Sequence, residues 1–377
     1  MNAMSNRLYV ATRKGLFTLE RSAANRATPW HITRLDFLAV PVSIVLDDQR
    51  DGSVYAALGH GHYGVKLHRS RDGGATWSEC QTPTFPPRPE GAPVDLCPTR
   101  NIPIPWNTEL IWALETGGMS EKGVLWCGTV PGALFRSTDH GDSWTFVHSL
   151  WDCPERRQWF GGGMDYPGIH SICVDPRNPR RVLVGVSCGG VWLTEDAGDS
   201  WRCRATGMYA NYMPPDRKFD PVIQDPHRLV ACHSDPDALW VQHHNGVFHS
   251  TDGAKSWHDV PAAAPSIFGF AIAVHPKDPR TAWLVPAISD EQRLPVDGQV
   301  VVSRTRDAGQ SFEVLRAGLP QEHAYDLTYR HALDVDESGD RLAFGTTTGS
   351  LWISEDQGDH WTAVSTNLPP VYCVRFA

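Results

Sequence analysis

A turn motif that occurs six times constrains the fold of this chain more than any other feature. The motif is a hydroxyl residue, any residue, Asp, any residue, Gly, two further residues and an aromatic, and its aspartates are Asp72, Asp139, Asp196, Asp252, Asp307 and Asp356. Successive aspartates lie 67, 57, 56, 55 and 49 residues apart. This spacing suits one four-stranded blade plus a loop of variable length, so it predicts a ring of similar β-sheets.

The chemistry of the motif is that of a turn. Its aspartate can accept hydrogen bonds from the backbone N–H groups that follow, its glycine suits a positive φ, and its aromatic residue begins the next strand. Ala254 replaces the glycine in the fourth copy, which predicts a slightly altered or strained turn. We therefore interpret the motif aspartates as structural residues and not as catalytic ones.

The chain ends complete a seventh blade. Segments 8–12, 15–19 and 30–33 fit a second, third and outer strand, with a degenerate motif between the last two. The inner strand that this blade lacks is supplied by residues 371–377. We predict an all-β fold in which residues 1–377 form a single domain. It is a seven-bladed propeller of four-stranded blades, closed by pairing of the C-terminal strand with the N-terminal blade.

Composition excludes several classes of partner. The 34 basic and 43 acidic residues give a net charge of −9 with no basic stripe, so we expect no nucleic-acid partner. No stretch approaches the roughly 18 apolar residues that cross a bilayer, and we expect no membrane partner. The N-terminus has no apolar segment typical of a signal peptide. Nine scattered cysteines, none in C-x-x-C spacing, indicate reduced thiols in a cytoplasmic protein.

The motif resembles the BNR or Asp-box repeat, and the resemblance covers essentially the whole chain. Segments 168–176, 242–252 and 268–276 are similar to those of bacterial proteins assigned as glycosyl hydrolases with BNR repeats. The resemblance implies a sialidase-like propeller, and this architecture carries both enzymes and pure binders. The arginine, tyrosine and glutamate set of sialidases is not recognisable, since the nearest Arg-Ile-Pro segment, Arg100 to Pro103, has an insertion and follows a motif copy.

The long loops indicate the face on which a site would lie. Segments 83–107, 148–168, 204–226 and 287–299 belong to the rim opposite the motif turns, and loops of this length are usually functional or disordered. They are rich in aromatic residues, including Trp159. These rings could stack on sugars or cover the ends of the blades.

An alignment of the inner strands predicts which residues surround the channel mouth. It selects Ser43, Glu109, His170, His227, Phe270, Arg330 or His331, and Tyr372. The neighbouring turns add two histidine pairs, His60 with His62 and His243 with His244. This ring is more polar than packing requires. We predict ligand binding by His170, His227, Arg330, His331, His243, His244, Phe270, Trp159, His60 and His62.

Two functions fit this mouth. The first is a glycosyl hydrolase in which Glu109 is one catalytic carboxyl group and Asp165 or Asp326 is the second, with a carbohydrate or small polar ligand. The alternative is a non-catalytic propeller that binds a protein, a peptide or a small ligand. The histidine pairs could bind a transition metal with a carboxylate, but their spacing is not specific, so we assign no metal and no cofactor.

Overall fold

The computed structural model describes residues 4–22, 29–91 and 93–377. Within these ranges 28 strands form seven four-stranded sheets, which confirms the predicted seven-bladed propeller. Part of the degenerate motif predicted before the outer strand of the N-terminal blade falls at 23–28, outside the described residues.

The strands of the first four blades follow the predicted order from the channel outwards. Blade 1 contains β1 (Arg7–Thr12), β2 (Gly15–Glu20) and β3 (His31–Asp36), with β28 (Val371–Phe376) as its inner strand. Blade 2 contains β4 (Val42–Asp48), β5 (Ser53–Gly59), β6 (Val65–Ser70) and β7 (Ser78–Cys80). Blade 3 contains β8 (Leu110–Thr116), β9 (Leu125–Val130), β10 (Leu134–Ser137) and β11 (Thr145–Phe146). Blade 4 contains β12 (Ile169–Val174), β13 (Val182–Val186), β14 (Gly190–Thr194) and β15 (Arg202–Cys203).

The last three blades have the same order. Blade 5 contains β16 (Pro226–Ala231), β17 (Leu239–His243), β18 (Gly246–Ser250) and β19 (His258–Asp259). Blade 6 contains β20 (Gly269–Val274), β21 (Ala282–Pro286), β22 (Val302–Thr305) and β23 (Glu313–Leu315). Blade 7 contains β24 (Leu333–Val335), β25 (Leu342–Gly345), β26 (Leu351–Ser354) and β27 (Thr362–Ser365).

The ring closes where the chain ends meet, as predicted. Strand β28 pairs antiparallel with β1, with Leu8 opposite Phe376 and Val10 opposite Val374. The backbone N–H of Phe376 also donates to the Asp334 carboxylate of blade 7 at 2.8 Å. The last strand therefore bonds to both neighbouring ends of the ring and removes two exposed sheet edges.

The repeated turns have the expected hydrogen bonds. In the copy at Asp196, one carboxylate oxygen accepts the backbone N–H of Ser200 at 2.9 Å, and the Thr194 hydroxyl accepts the N–H of Gly198 at 2.9 Å. Ala254 makes the same bond to the Ser250 hydroxyl at 3.0 Å with a φ of 66°. The hydrogen bonds of this turn are therefore unaltered, and the predicted strain is present as an alanine in the left-handed region.

The cores of the blades are rich in tryptophan, and the loops contain short helices. Five tryptophans are fully buried: Trp126, Trp159, Trp192, Trp240 and Trp283. The helices are α1 (His148–Trp151) and 3₁₀ helices at Gly61–Tyr63, Pro154–Gln158, Pro221–Ile223 and Val296–Gly298. All nine cysteines are free thiols. In the described ranges no helix has the length and apolar character needed to cross a bilayer.

Candidate functional site

A β-bulge near the start of six inner strands determines which side chains reach the channel mouth. In each strand one residue has no partner in the neighbouring strand, and these residues are Ser43, Trp112, His170, His227, Phe270 and Tyr372. A bulge changes the direction in which a side chain points. The same irregularity, repeated around the ring, therefore builds one wall from six blades.

Five of these six residues line a cavity of about 750 Å³ at this mouth. The exception is His170, which is 0% exposed and lies beneath Trp112 at a ring separation of 5.4 Å. Turns and loops complete the wall with Phe160, Gly162, Met164, Cys188, Tyr212, Asp225, His244, Asp290, Glu291, Arg293, Tyr329, Arg330 and His331, among others. A cavity of this size, with aromatic walls and a few polar groups, suits a small ligand.

The structure places Trp112, and not Glu109, at the blade 3 position of this ring. Strand β8 begins at Leu110, so Glu109 precedes the strand and its side chain is exposed. The sequence alignment of this blade was wrong by three residues, because the long loop before β8 conceals where the strand begins. At the blade 3 position of this ring, an aromatic side chain therefore stands where an acidic one was predicted.

The other predicted ligand-binding residues divide into two groups. His227, His244, Phe270, Arg330 and His331 line the cavity. His60, His62, His170, His243 and Trp159 do not: the first two belong to a surface turn, and the other three are fully buried. Trp159 packs against Trp192 at a ring separation of 5.5 Å, so its ring covers a blade and is not open to a ligand.

The three predicted catalytic carboxyl groups lie outside the cavity wall. Glu109 and Asp165 each adjoin a lining residue, Leu110 and Met164 respectively, and both are exposed. Burial, followed by the negative charge of Asp165, raises the pKa of Glu109. Asp326 accepts a hydrogen bond from the Thr348 hydroxyl. Glu109 and Asp165 therefore lie at the rim, beside the cavity, near enough for the charge of Asp165 to act on Glu109.

Arg330 is held at the cavity by aromatic rings. Its guanidinium carbon lies 4.7 Å from the centroid of Trp112 and 5.3 Å from that of Phe270, which are cation–π distances. Among the described residues it has no hydrogen-bond or ion-pair partner, and its Nε is buried without one. Burial lowers the pKa of Arg330 to about 10, although the charge of Asp225 opposes this shift. The residue is thus a cation near neutral pH with unused donors.

Asp225 is the functional candidate that sequence reasoning missed. It directly precedes β16, and its Oδ2 lies 3.5 Å from Nε2 of His227 and 3.6 Å from Nδ1 of His244. Burial opposes its ionisation, but His227, with His244 and His243, lowers the pKa of Asp225 overall. The Asp-Pro-His run at 225–227 resembles the Asp-Pro ends of other strands. Because of this likeness, Asp225 was interpreted as an ordinary strand end. Its position two residues before His227 was the sequence signal that could have indicated a site residue.

His243 and His331 accept hydrogen bonds from groups next to this site. Nε2 of His243 accepts the backbone N–H of Asp225 at 2.9 Å, and burial lowers the pKa of His243 to about 3. Arg228 donates to Nδ1 of His331 at 2.9 Å, so this imidazole is neutral. Both rings are therefore hydrogen-bond partners that fix neighbouring groups.

The fold and this mouth define a seven-bladed β-propeller with a ligand-sized cavity at one end of its channel. No family model and no curated protein matches the chain. Among solved structures, the chain is similar to the GH74 xyloglucanase from Xanthomonas campestris, with 16% identity, a TM-score of 0.64 and coverage of 96% of this chain and 53% of that one. The chain is also similar to an ancestral GH74 enzyme, with 15% identity, a TM-score of 0.56 and coverage of 85% of this chain and 38% of that one. The chain thus spans about half or less of the length of these two enzymes.

A third similar structure was determined with a bound peptide. YCF48 bound to D1 peptide has 13% identity and a TM-score of 0.52, with coverage of 86% of this chain and 82% of that one. At these identities the likeness shows the propeller fold alone.

Proposed function

We propose that this protein binds a carbohydrate-like ligand carrying a negatively charged group in the cavity at the channel mouth. The observation that carries the proposal is Arg330, whose guanidinium borders the cavity and has no carboxylate partner within the part of the chain that the structure describes. Hydrogen bonds between charged groups are among the strong ones, and a carboxylate or phosphate matches the guanidinium geometry. An anionic ligand would supply the partner that none of the described residues provides.

The aromatic wall supports a sugar-like body for this ligand. Trp112, Phe270, Tyr329 and Tyr372 line the cavity, and Phe160 and Tyr212 extend the wall. Rings of this kind offer flat apolar surfaces, and the hydroxyl groups of the tyrosines offer polar contacts. The fold likeness to a xyloglucanase agrees with a carbohydrate ligand, as does the resemblance of the repeated turn to the BNR repeat of glycosyl hydrolases. The structure of YCF48 with a peptide makes an acidic peptide the competing ligand.

Matched pairs of ligands test the proposal. Calorimetry would compare glucuronate with glucose, galacturonate with galactose, and an acidic peptide with its amide form. We expect the acidic sugars to bind at least about tenfold more tightly than their neutral partners, the usual size of a charge-assisted bond. Arg330→Met keeps the apolar stem between the two rings and should abolish this preference. Arg316→Met, at an exposed arginine outside the cavity, is the control. Equal affinity for neutral and acidic sugars, or tight binding of the peptide alone, would refute the proposal.

A second candidate function is hydrolysis of a glycoside at the rim of the cavity. The observation that favours it is the raised pKa of Glu109 beside Asp165, because glycoside hydrolysis needs one protonated carboxyl group and one ionised carboxylate. In this proposal Glu109 is the acid and Asp165 the second carboxylate. Asp326 was the other option for that role, but its Thr348 hydrogen bond makes it less suitable.

A panel of chromogenic glycosides tests hydrolysis separately from binding. Glu109→Gln should lower kcat by about 10²–10⁴-fold, the usual contribution of a general acid, and should leave ligand affinity unchanged. Asp326→Asn is the matched control and should retain full activity. A panel that shows no turnover while acidic sugars bind would exclude the hydrolase and retain the binding propeller.

A further inference from the structure

Three side chains of blade 5 converge on one point at the edge of the cavity. One ligand atom from each of Asp225, His227 and His244 lies within 4.8 Å of the other two, and Asp225 Oδ2 is 3.5 Å from His227 Nε2 and 3.6 Å from His244 Nδ1. Asp225 and His227 come from the start of β16, and His244 follows β17. The His244 backbone N–H donates to the Asp225 carbonyl at 3.0 Å. One blade rim therefore holds all three groups.

The second ring nitrogen of His227 and the second carboxylate oxygen of Asp225 are hydrogen-bonded to neighbouring groups. Nδ1 of His227 donates to the Gly269 carbonyl at 2.7 Å. Asp225 Oδ1 accepts the backbone N–H of Cys188 at 3.0 Å and the hydroxyl of Ser187 at 3.4 Å. Metal-binding histidines usually donate their other ring N–H to a carbonyl or carboxylate, and metal-binding carboxylates are similarly held. These bonds leave Nε2 and Oδ2 as the free ligand atoms.

The contacts among the three ligand atoms are poor hydrogen bonds. With its proton on Nδ1, a neutral His227 presents a lone pair from Nε2 to a carboxylate oxygen at 3.5 Å. His244 Nδ1 lies 3.6 Å from the same oxygen, beyond the range for a hydrogen bond. Lone pairs that face one another at these distances are stabilised by a cation between them.

The two separations between Asp225 Oδ2 and the imidazole nitrogens match those around a tetrahedral ion. Metal bonds of 2.0–2.1 Å in tetrahedral geometry separate neighbouring ligand atoms by about 3.4 Å, whereas an octahedral ion would bring them to about 2.9 Å. The observed values are 3.5 and 3.6 Å. We propose that Asp225, His227 and His244 form a Zn²⁺ site with its fourth position open to the cavity.

The side-chain packing holds these ligands in place. The His227 ring stacks on Phe270 at 4.4 Å, and the His244 ring meets Tyr212 edge-on at 5.0 Å. Gly162 lies close to this site, because a Cβ at this position would be 2.6 Å from Cys188 Sγ and in contact with Asp225 Oδ2 at 3.6 Å. Three protein ligands with an open position are typical of catalytic zinc rather than structural zinc.

The zinc site extends the proposed ligand-binding function, and it shares the cavity with Arg330. An anionic group of the ligand would then lie between the guanidinium and the metal. The positive charge of Arg330 weakens metal binding in the absence of a ligand. Zinc affinity should therefore rise when an acidic sugar is added, and the sugar affinity should rise by the same factor when zinc is added.

Metal binding is measured first without any sugar. A protein that binds no zinc would then refute the zinc site without bearing on the proposed binding of an acidic sugar. Protein purified without an affinity tag is stripped with a chelator and titrated with Zn²⁺ by calorimetry. We expect one equivalent to bind and the thermal midpoint to rise with zinc concentration. His244→Ala, at a partly exposed ligand, should weaken binding at least tenfold. The double variant His60→Ala/His62→Ala, at surface histidines outside the cavity, should bind as the wild type does.

Co²⁺ tests the geometry in the unmodified protein, which keeps the proposal falsifiable if the His244 variant does not fold. We expect the intense visible absorption of tetrahedral Co²⁺, without a thiolate charge-transfer band, because the site has no cysteine ligand. The proposal is overturned if the protein does not bind one equivalent of metal, or if the Co²⁺ spectrum is octahedral or shows thiolate ligation. It is also overturned if the His60→Ala/His62→Ala variant loses metal binding and His244→Ala does not.

Discussion

The guanidinium of Arg375 lies 2.7 Å from the Glu115 carboxylate, and this ion pair joins the closing strand β28 to β8 of blade 3. Both residues line a second cavity of about 830 Å³, at the mouth opposite the candidate site. The charge of Glu115 is the main cause of a raised Arg375 pKa. The contact spans the inner strand of blade 2, so it links blades that are not neighbours.

We predict that Arg375→Met destabilises the protein by about 1–3 kcal/mol, between the values for surface and buried ion pairs. The loss arises because the Glu115 carboxylate keeps its charge without a partner. Glu115→Gln/Arg375→Met should recover part of it. Urea unfolding measures these differences. Arg7→Met breaks an exposed pair with Glu20 in the same blade and should cost less than about 1 kcal/mol. Equal losses for the two arginines would contradict the prediction.

The glycines of the repeated turns differ in how well they tolerate a side chain. Gly309 has a φ of 87°, and a Cβ at this position would lie 2.5 Å from Cγ1 of Val260. We predict that Gly309→Ala costs roughly 2–4 kcal/mol, from left-handed strain and overpacking. Ala254→Gly should change stability by less than about 1 kcal/mol, because relief of strain offsets the lost methyl packing and the added chain entropy. Chemical unfolding tests both. A tolerated Gly309→Ala would show that the neighbouring blade can move.

The repeated turns should also control stability in acid. Hydrogen bonds from the residue four positions later lower the pKa of Asp72, Asp196 and Asp307 to about 2, from the usual 3.8. Since the folded-state pKa is depressed, this stabilisation is complete above the unfolded value, near pH 4, and is lost as the pH falls through about 2. The thermal midpoint should drop across this range.

Replacing these three aspartates with asparagine should flatten that part of the profile of thermal midpoint against pH, since asparagine does not titrate. Asp216→Asn, at an exposed position outside the motif turns, is the control and should leave the slope unchanged. An unchanged slope in the triple variant would show that other carboxylates govern acid unfolding.

His170 should behave as a wall residue and not as a ligand-binding one. Burial lowers its pKa well below the usual range, and its Nε2 donates to the Pro226 carbonyl at 2.7 Å. We predict that His170→Ala costs about 2–4 kcal/mol, from the lost hydrogen bond and the cavity that is left. Binding of acidic sugars at the mouth should be unchanged under conditions where the variant is folded. A loss of sugar binding without a loss of stability would contradict this prediction and show that His170 takes part in ligand binding.

The number of blades and the closure of the ring could be predicted because they depend on local chemistry. Each repeated turn forms its hydrogen bonds within five residues, as the bond from Gly198 to Thr194 shows. The strand boundaries follow from alternation and glycine turns. The N-terminal segment provides only three strands of its blade, so the inner strand had to come from another part of the chain. Residues 371–376 form this strand.

The candidate site was only partly predictable. His227, Phe270 and Arg330 lie at the cavity as predicted, because their strands have clear ends, and their role in binding stays a prediction. Trp112 was missed because a long loop precedes β8. The bulges that point these residues into the channel have no signal in the sequence of a single strand. Trp159 was misplaced because a tryptophan in a loop can cover a blade or face a ligand, and burial alone decides between them.

The sequence by itself determined a closed seven-bladed ring, since turns and alternating strands are interactions between near neighbours in the chain. Only the tertiary structure decided that Asp225 lies close to His227 and His244. It also decided that Arg330 has aromatic neighbours but, over residues 4–22, 29–91 and 93–377, no carboxylate partner. The physical reason is that these relationships depend on how blades curve and pack around a shared axis. Residues distant in the chain, such as Trp112 and Arg330, become neighbours only when the ring is closed.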